Sequence, residues 1–418
     1  MREHQPRLPW SQVAVMELAA TPMAVFGGLM VRSGSLALVH TLLLALAACS
    51  SPAEPTDDAG TPPVIVPEVK APELGKGDHT PGSVVLTEIA NAGVGLKKPR
   101  DLAFNPRKPD ELWVVNNGDD SAVIIQDAST ENRVAERRKD SNGNHFMAFP
   151  AGIAFGGDTT TFETQGTFGT CGESRNTYDG KQKANDFTGP ALWSSDLSIF
   201  AKKNPEGLGS HLDMLHNTPL CMGIAHQGGN QYWVFGGLSN SIDWYDFGGD
   251  HNVGQDDHSD GEYRRYVTGQ VKYAAGIPSH LFYREADAML YVADTGNSRV
   301  VKLDTKSGTQ GKKITPKEAM KLSVAMDNAT LADVITADSG LVQSPSGLEI
   351  RNDYIYVSDN ANSRISAFTL EGERVNYLET GLPAGSLGGL NFGPDGKLYF
   401  VDMLGNRVLR VDVETATR

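Results

Sequence analysis

Two stretches of this 418-residue sequence bring imidazoles and carboxylates close enough together to do chemistry. SHLDMLHNTPLC (210–221) carries His211, Asp213 and His216. DHNVGQDDHSDGEYRR (250–265) carries Asp250, Asp256, Asp257, Asp260 and Glu262 beside His251 and His258. Neutral imidazole suits Zn²⁺ and similar cations, and three protein ligands leave a further position open for water or substrate. Carboxylates as dense as those of the second stretch suit Ca²⁺, although the stretch departs from an EF-hand loop: Gln255 follows Gly254, and Gly261 stands where the closing Glu belongs. The bland alternative for both is a solvated polar loop. The sequence holds no serine nucleophile elbow, no phosphate-binding glycine loop and no helical HExxH.

The elements that must position these residues repeat along the chain. MLYVADTGNSRVVKLD (289–304) is an aromatic-bearing β run, a polar turn and a second β run. ELWVVNNGDDSAVII (111–125), QYWVFGGLSNSIDWYDF (231–247), YIYVSDNANSRISAF (354–368) and KLYFVDMLGNRVLRVDV (397–413) follow the same plan. Six short strands begin the units: PRDLAF (99–104), PAGIAF (150–155), CMGIAH (221–226), PSHLFY (278–283), PSGLEI (345–350) and LGGLNF (387–392). The unit at Pro150 has its hairpin spread over 158–200 by an insertion. Further β-like stretches, GEYRRYVTG (261–269) and GERVNYLET (372–380), bring each unit to about four strands, the make-up of a propeller blade. The reading is therefore all-β, a six-bladed β-propeller. SVVLTEIA (83–90), which has no local partner, supplies the outer strand of the last blade and closes the ring. Residues 315–337 read as a helical or loop-like insertion between blades.

The pattern Pro-x-Gly-Ile-Ala followed by YVAD-TGNSR-V resembles the NHL repeat of six-bladed propellers, over about residues 83–413. The recurring Asp294, Asp359 and Asp402, with Arg299, Arg364 and Arg407, are structural on this reading: the Asp caps backbone donors and the Arg pairs with it or with a neighbour. The resemblance implies a central channel whose ligand face is built where the inner strands begin. Four of the six inner strands have Gly at the second place, and Asp101 and His280 stand there in the other two, across the ring from each other. Both are candidate catalytic residues. Segment 210–221 is expected on the same face, so that His211, His216 and His280 would surround a divalent cation. NHL-type amidating lyases hold zinc by histidines at several inner strands, whereas here only His280 fits that pattern. Gluconolactonase-type propellers hold calcium through channel carboxylates and amides, for which Asp101, Asn116 and Asn117 are available. Asp250, Asp256, Asp257 and Asp260 form a second candidate cation loop, on the opposite face.

At the N-terminus, LALVHTLLLALAA (36–48) is too short to span a bilayer but suits a signal-peptide core. It ends in Leu46-Ala47-Ala48-Cys49, which resembles a bacterial lipobox and makes Cys49 the lipidated residue, with Met30 as an alternative start. The expected organisation is a signal region over 1–48, a Pro-rich tether over 49–80 and the propeller over 81–418. Ser50 after the Cys resembles lipoproteins of a Gram-negative outer membrane. Cys171 and Cys221 remain; outside the cytoplasm a disulfide is the simplest pairing, with two free thiols the alternative. A formal charge of −14 with no Lys/Arg stripe speaks against nucleic acid. The expectation is a monomeric, lipid-anchored scaffold of the cell envelope that binds a protein, peptide or glycan through its channel face. The alternative is a metal-dependent lyase or hydrolase, with zinc or calcium as cofactor.

Overall fold

A computed structural model describes residues 69–157, 166–202, 207–249 and 251–413. The signal region, Cys49, Asp250 and the last five residues lie outside them. Within the described residues the chain forms six sheets, five of them wholly antiparallel and one mixed, and its one α-helix is the single turn Gly143–Phe146. The inner strands are Pro99–Phe104, Pro150–Phe155, Cys221–Gly228, Leu281–Arg284, Pro345–Arg351 and Leu387–Phe392, one per blade. Val84–Ala90 pairs antiparallel with Arg407–Val413, from Val84 opposite Val413 to Ala90 opposite Val408. The ring is closed as the sequence indicates.

Apolar alternation on the hairpins fills the layers between blades. Trp113 of the first blade packs on Phe168 and Phe200 of the second, with ring centroids 4.8 and 5.1 Å apart. Such aromatics bury large areas without a polar cost when their one N–H is paired, and Trp113 Nε1 donates to Glu111 at 2.8 Å. The disulfide Cys171–Cys221 ties the second strand of blade two to the start of blade three's inner strand. The repeat's Asp behaves as a turn clamp. Asp294 is fully buried and accepts from Lys272 N and Arg299 Nε, both at 2.8 Å. Arg407 likewise pairs with Asp402, while Arg364 turns to Glu379.

Two segments depart from expectation. Residues 315–337 are not helical: Leu322–Asp327 pairs with Thr309–Lys313 as a hairpin, and Leu331–Ile335 is the fourth strand of blade four. The hairpin joins the outer edge of blade three through a parallel pairing of Glu262–Arg265 with residues 322–325, making that sheet six-stranded. β-branched and alternating residues in LSVAMD and LADVI outweigh the local helix formers. Residues at the end of the expected 49–80 tether also pack on the propeller. Asn376 Nδ2 donates to the Ala71 and Gly75 carbonyls, Tyr356 Oη donates to Glu73, and His79 stacks on Tyr377.

Replacing Asp294 by Ala removes a buried anion and leaves the Lys272 N–H and the Arg299 guanidinium without their acceptor. A loss of about 3 kcal/mol in urea unfolding is expected. A loss below about 1 kcal/mol would show that the clamp does not hold the turn.

Candidate metal centre

The channel and the blade rim each gather ionisable groups, and the structure sorts the candidate residues between them. Asp101 and His280 do meet in the channel: His280 Nδ1 lies 3.5 Å from Asp101 Oδ1. Asp101 accepts from Leu102 N at 2.8 Å and Ile153 N at 2.9 Å, and His280 Nε2 donates to the Ala151 carbonyl at 3.0 Å. These bonds tie blades one and four to blade two, and the Asp101–His280 contact spans the channel between opposite blades. The glycines there are required by crowding: a Cβ on Gly223 would overlap the Ser279 carbonyl, and one on Gly389 would overlap Asp101 and His280. Asp101 and His280 also line the channel's cavity of about 260 Å³, which runs from them toward the ends of the strands, past Glu349 and Asn391 to Phe104, Phe155, His226 and Tyr283. Desolvation pushes the Glu349 carboxyl up to about 8, with Asn391 Nδ2 donating to it at 2.7 Å.

His211 and His216 are elsewhere. His211–Met214 is the outer strand of blade two, pairing Ala191 with Met214 and Trp193 with His211; it is not a loop running into the inner strand of blade three. The expected cluster of His211, His216 and His280 does not form, because an outer strand lies a blade's width from the channel. The free edge of this strand is covered by the loop following Ser241–Asp246. His251 N donates to the Leu212 carbonyl at 3.3 Å, and Gly254 N to the His211 carbonyl at 2.8 Å. That loop is the second chemical stretch of the sequence. The two stretches, expected on opposite faces, form one site.

Its centre is a chain of alternating imidazoles and carboxylates. His258 Nδ1 bonds Asp213 Oδ1 at 2.8 Å, and His251 Nε2 lies 3.5 Å from the same oxygen. On the other edge of the ring, His258 Nε2 is 3.9 Å from Glu318 Oε2, and that oxygen accepts a hydrogen bond from His216 Nδ1. Glu318 comes from the inserted hairpin and is fixed by accepting from His216 N at 2.8 Å. Phe187 stacks on His216 with centroids 3.7 Å apart, and Phe146 on His211 at 3.6 Å, so both rings are locked. Two groups of three place their ligand atoms within 4.8 Å of one another: Asp213, His251 and His258, and His216, His258 and Glu318.

Several polar atoms here are buried without a hydrogen bond: His211 Nε2, His216 Nε2, His251 Nε2 and Asp213 Oδ2. The tautomers follow from the partners. His211 Nδ1 and His251 Nδ1 each face a carbonyl, of Leu208 and Asn252, so each Nδ1 carries the proton and each Nε2 keeps a lone pair. Burial holds the His211 and His216 imidazoles neutral, below the usual range, and raises the Asp213 carboxyl. Burial also opposes charge on His258, but the hydrogen bond and charge of Asp213 win and raise it. Of the acidic loop, Asp256 lines the cavity above this network. Asp257 caps Ser259 N at 3.1 Å and Asp260 caps Gly249 N at 2.9 Å, so neither joins a ligand group. His145 and Glu318 were not singled out in the sequence: one sits in a single helical turn, the other in a segment that reads as a plain insertion.

The chain is thus a six-bladed β-propeller with the NHL-type hairpin repeat and an ionisable cavity at the rim of blades two and three. No known family matches the sequence as a whole. No curated protein sequence matches it either. Among solved structures it is similar to a luciferin-regenerating enzyme, with a TM-score of 0.50 and 13% identity over 79% of this chain and 95% of that one. It is also similar to an auxiliary nutrient binding protein from Bacteroides ovatus, with a TM-score of 0.49 and 13% identity over 76% and 69%. At these identities the likeness extends to the fold alone.

The raised Glu349 carboxyl gives a pH prediction. Its folded value lies above the ordinary 4.5, so the fold prefers the protonated acid. That contribution is complete below about pH 4.5 and is lost as pH rises to about 8. Urea midpoints of the native protein should fall over this window, and Glu349→Gln should flatten the fall. An identical pH profile in the variant would contradict the assignment.

Proposed function

We propose that this protein is a divalent-metal propeller of the cell envelope whose working site is the rim cavity, with lyase or hydrolase chemistry of the metal-assisted kind. The observation that carries the reading is the set His216, His258 and Glu318. These residues line one cavity of about 490 Å³, their ligand atoms lie within 4.8 Å, and a buried carboxylate backs the shared histidine. Two imidazoles and one carboxylate with a position left open are the ligand set of hydrolytic zinc sites. Asp213, bonded to His258 Nδ1, is the outer carboxylate that fixes the tautomer and makes Nε2 the ligand atom. When bound, the cation would polarise a carbonyl or activate a water. His145 also lines the cavity, and burial lowers its imidazole to about 4, so it stands there as a neutral ring.

The disulfide supports an oxidising compartment, and Cys49 at the end of an apolar run supports a lipid anchor. The channel is less suited to hold the ligand, because Asp101 and His280 close on each other where the inner strands begin and its cavity is smaller than the one at the rim.

Protein purified without chelator or added metal should carry one equivalent of zinc or a similar ion by ICP-MS. His258→Ala should abolish it and Glu318→Gln should lower it at least about ten-fold in affinity. Metal retained in both variants but lost in Asp101→Asn/His280→Ala would move the site to the channel. No bound metal, with none taken up on titration, would overturn the proposal.

A further inference from the structure

The walls of the rim cavity differ in character from its floor. Above His216, His258 and Glu318 stand Phe146, Tyr178, Phe187 and Leu208, together with Asn142, His145 and Asp256. Tyr178, His145 and His216 are near-parallel rings, with interplanar angles of 14° and 16° about His145. Among the described residues no Lys or Arg lines the cavity, while Asp256 and Glu318 both do. A ligand bearing carboxylate or phosphate away from the cation therefore meets two like charges and no Lys or Arg among the described lining residues.

The polar group on the wall has a fixed role. Asn176 Nδ2 donates to Asn185 Oδ1 at 2.8 Å, and that oxygen is identified as the acceptor by the Phe187 N–H at 2.9 Å. Asn176 therefore offers its carbonyl oxygen to His145, at 3.0 Å from Nδ1. Nδ1 carries the proton, and Nε2 is left as an acceptor on a ring that lines the cavity. An acceptor in a largely apolar wall favours a ligand with an N–H or O–H to give and discriminates against one without it.

We propose that this cavity takes uncharged aromatic amides or similar acyl compounds, with the ring among Phe146, Tyr178 and Phe187 and the N–H at His145, next to a carbonyl at the cation. The assignment rests on the metal reading above. Recognition comes from three terms that act together: apolar burial of the ring, the hydrogen bond to Nε2, and the lack, among the described residues, of a cationic side chain lining the cavity. Substrates of this class present a flat body and a carbonyl that a cation can polarise.

The test is calorimetric titration of the zinc-loaded full protein with benzohydroxamic, acetohydroxamic and 4-carboxybenzohydroxamic acids, which share one zinc-binding group. The phenyl compound should bind at least about ten-fold more tightly than the methyl compound, the gain expected for burying a ring of this size. The added carboxylate should remove most of that gain. Tyr178→Ala should shrink the phenyl-to-methyl ratio, and that ratio is the quantity compared. Equal binding of phenyl and methyl compounds to zinc-loaded protein would overturn this assignment while leaving the metal centre standing. Tighter binding of the carboxylated compound would overturn it as well. Failure to load zinc at all would overturn the reading beneath it.

Discussion

Everything in this molecule depends on one pairing, the antiparallel match of Val84–Ala90 with Arg407–Val413. A propeller blade cannot bury both faces alone; each sheet is covered only by its neighbours, so the ring is stable only when it closes. Pairing the first strand with the last turns two chain ends, the parts most prone to fray, into the interior of a sheet. It is a long-range contact, and loop-closure entropy opposes it. The docking of residues 69–83 on blades five and six places the N-terminal approach against the same region.

Closure also explains where chemistry can sit. In the channel, six inner strands converge so tightly at their starts that glycine is needed at Gly223 and Gly389, and Asp101 and His280 close on each other at 3.5 Å. At the rim the sheets splay apart, and insertions have room. There the outer strand of blade two, the acidic loop of blade three and the inserted hairpin meet over a single histidine, His258. Burying three further imidazoles and two carboxylates costs stability unless charge and hydrogen bonds compensate, and a structural role alone would be met more cheaply by apolar residues. The ring nitrogens of His211, His216 and His251 that are buried without a hydrogen bond fit the metal site proposed above better than a purely structural role.

Much of the fold could be read from the sequence because a repeat states its period several times. The six inner strands, the hairpins and even the closing strand followed from that. The site was legible only in its parts. Both His/Asp stretches were visible, but assigning HLDM to a loop put His211 and His216 on the channel face with His280, when blade two's insertion had displaced its own outer strand to that point. The acidic loop does join the third and fourth strands of blade three, as strand count indicates; the misplaced partner is the 210–221 segment. Glu318 gave no local signal at all, since its role comes from a parallel strand pairing that no pattern in TPKEAMKLSVAMD announces. Long-range pairing fixed the site, and sequence periodicity reports on local pairing.

The measurement that bears most directly on this account is the anomalous scattering of a zinc-soaked crystal, collected on both sides of the zinc edge. A single peak bonded to His216, His258 and Glu318, with a non-protein ligand facing Phe187 and His145, is the predicted result. A peak in the channel at Asp101, His280 and Glu349 instead, or no peak at the rim, would contradict it.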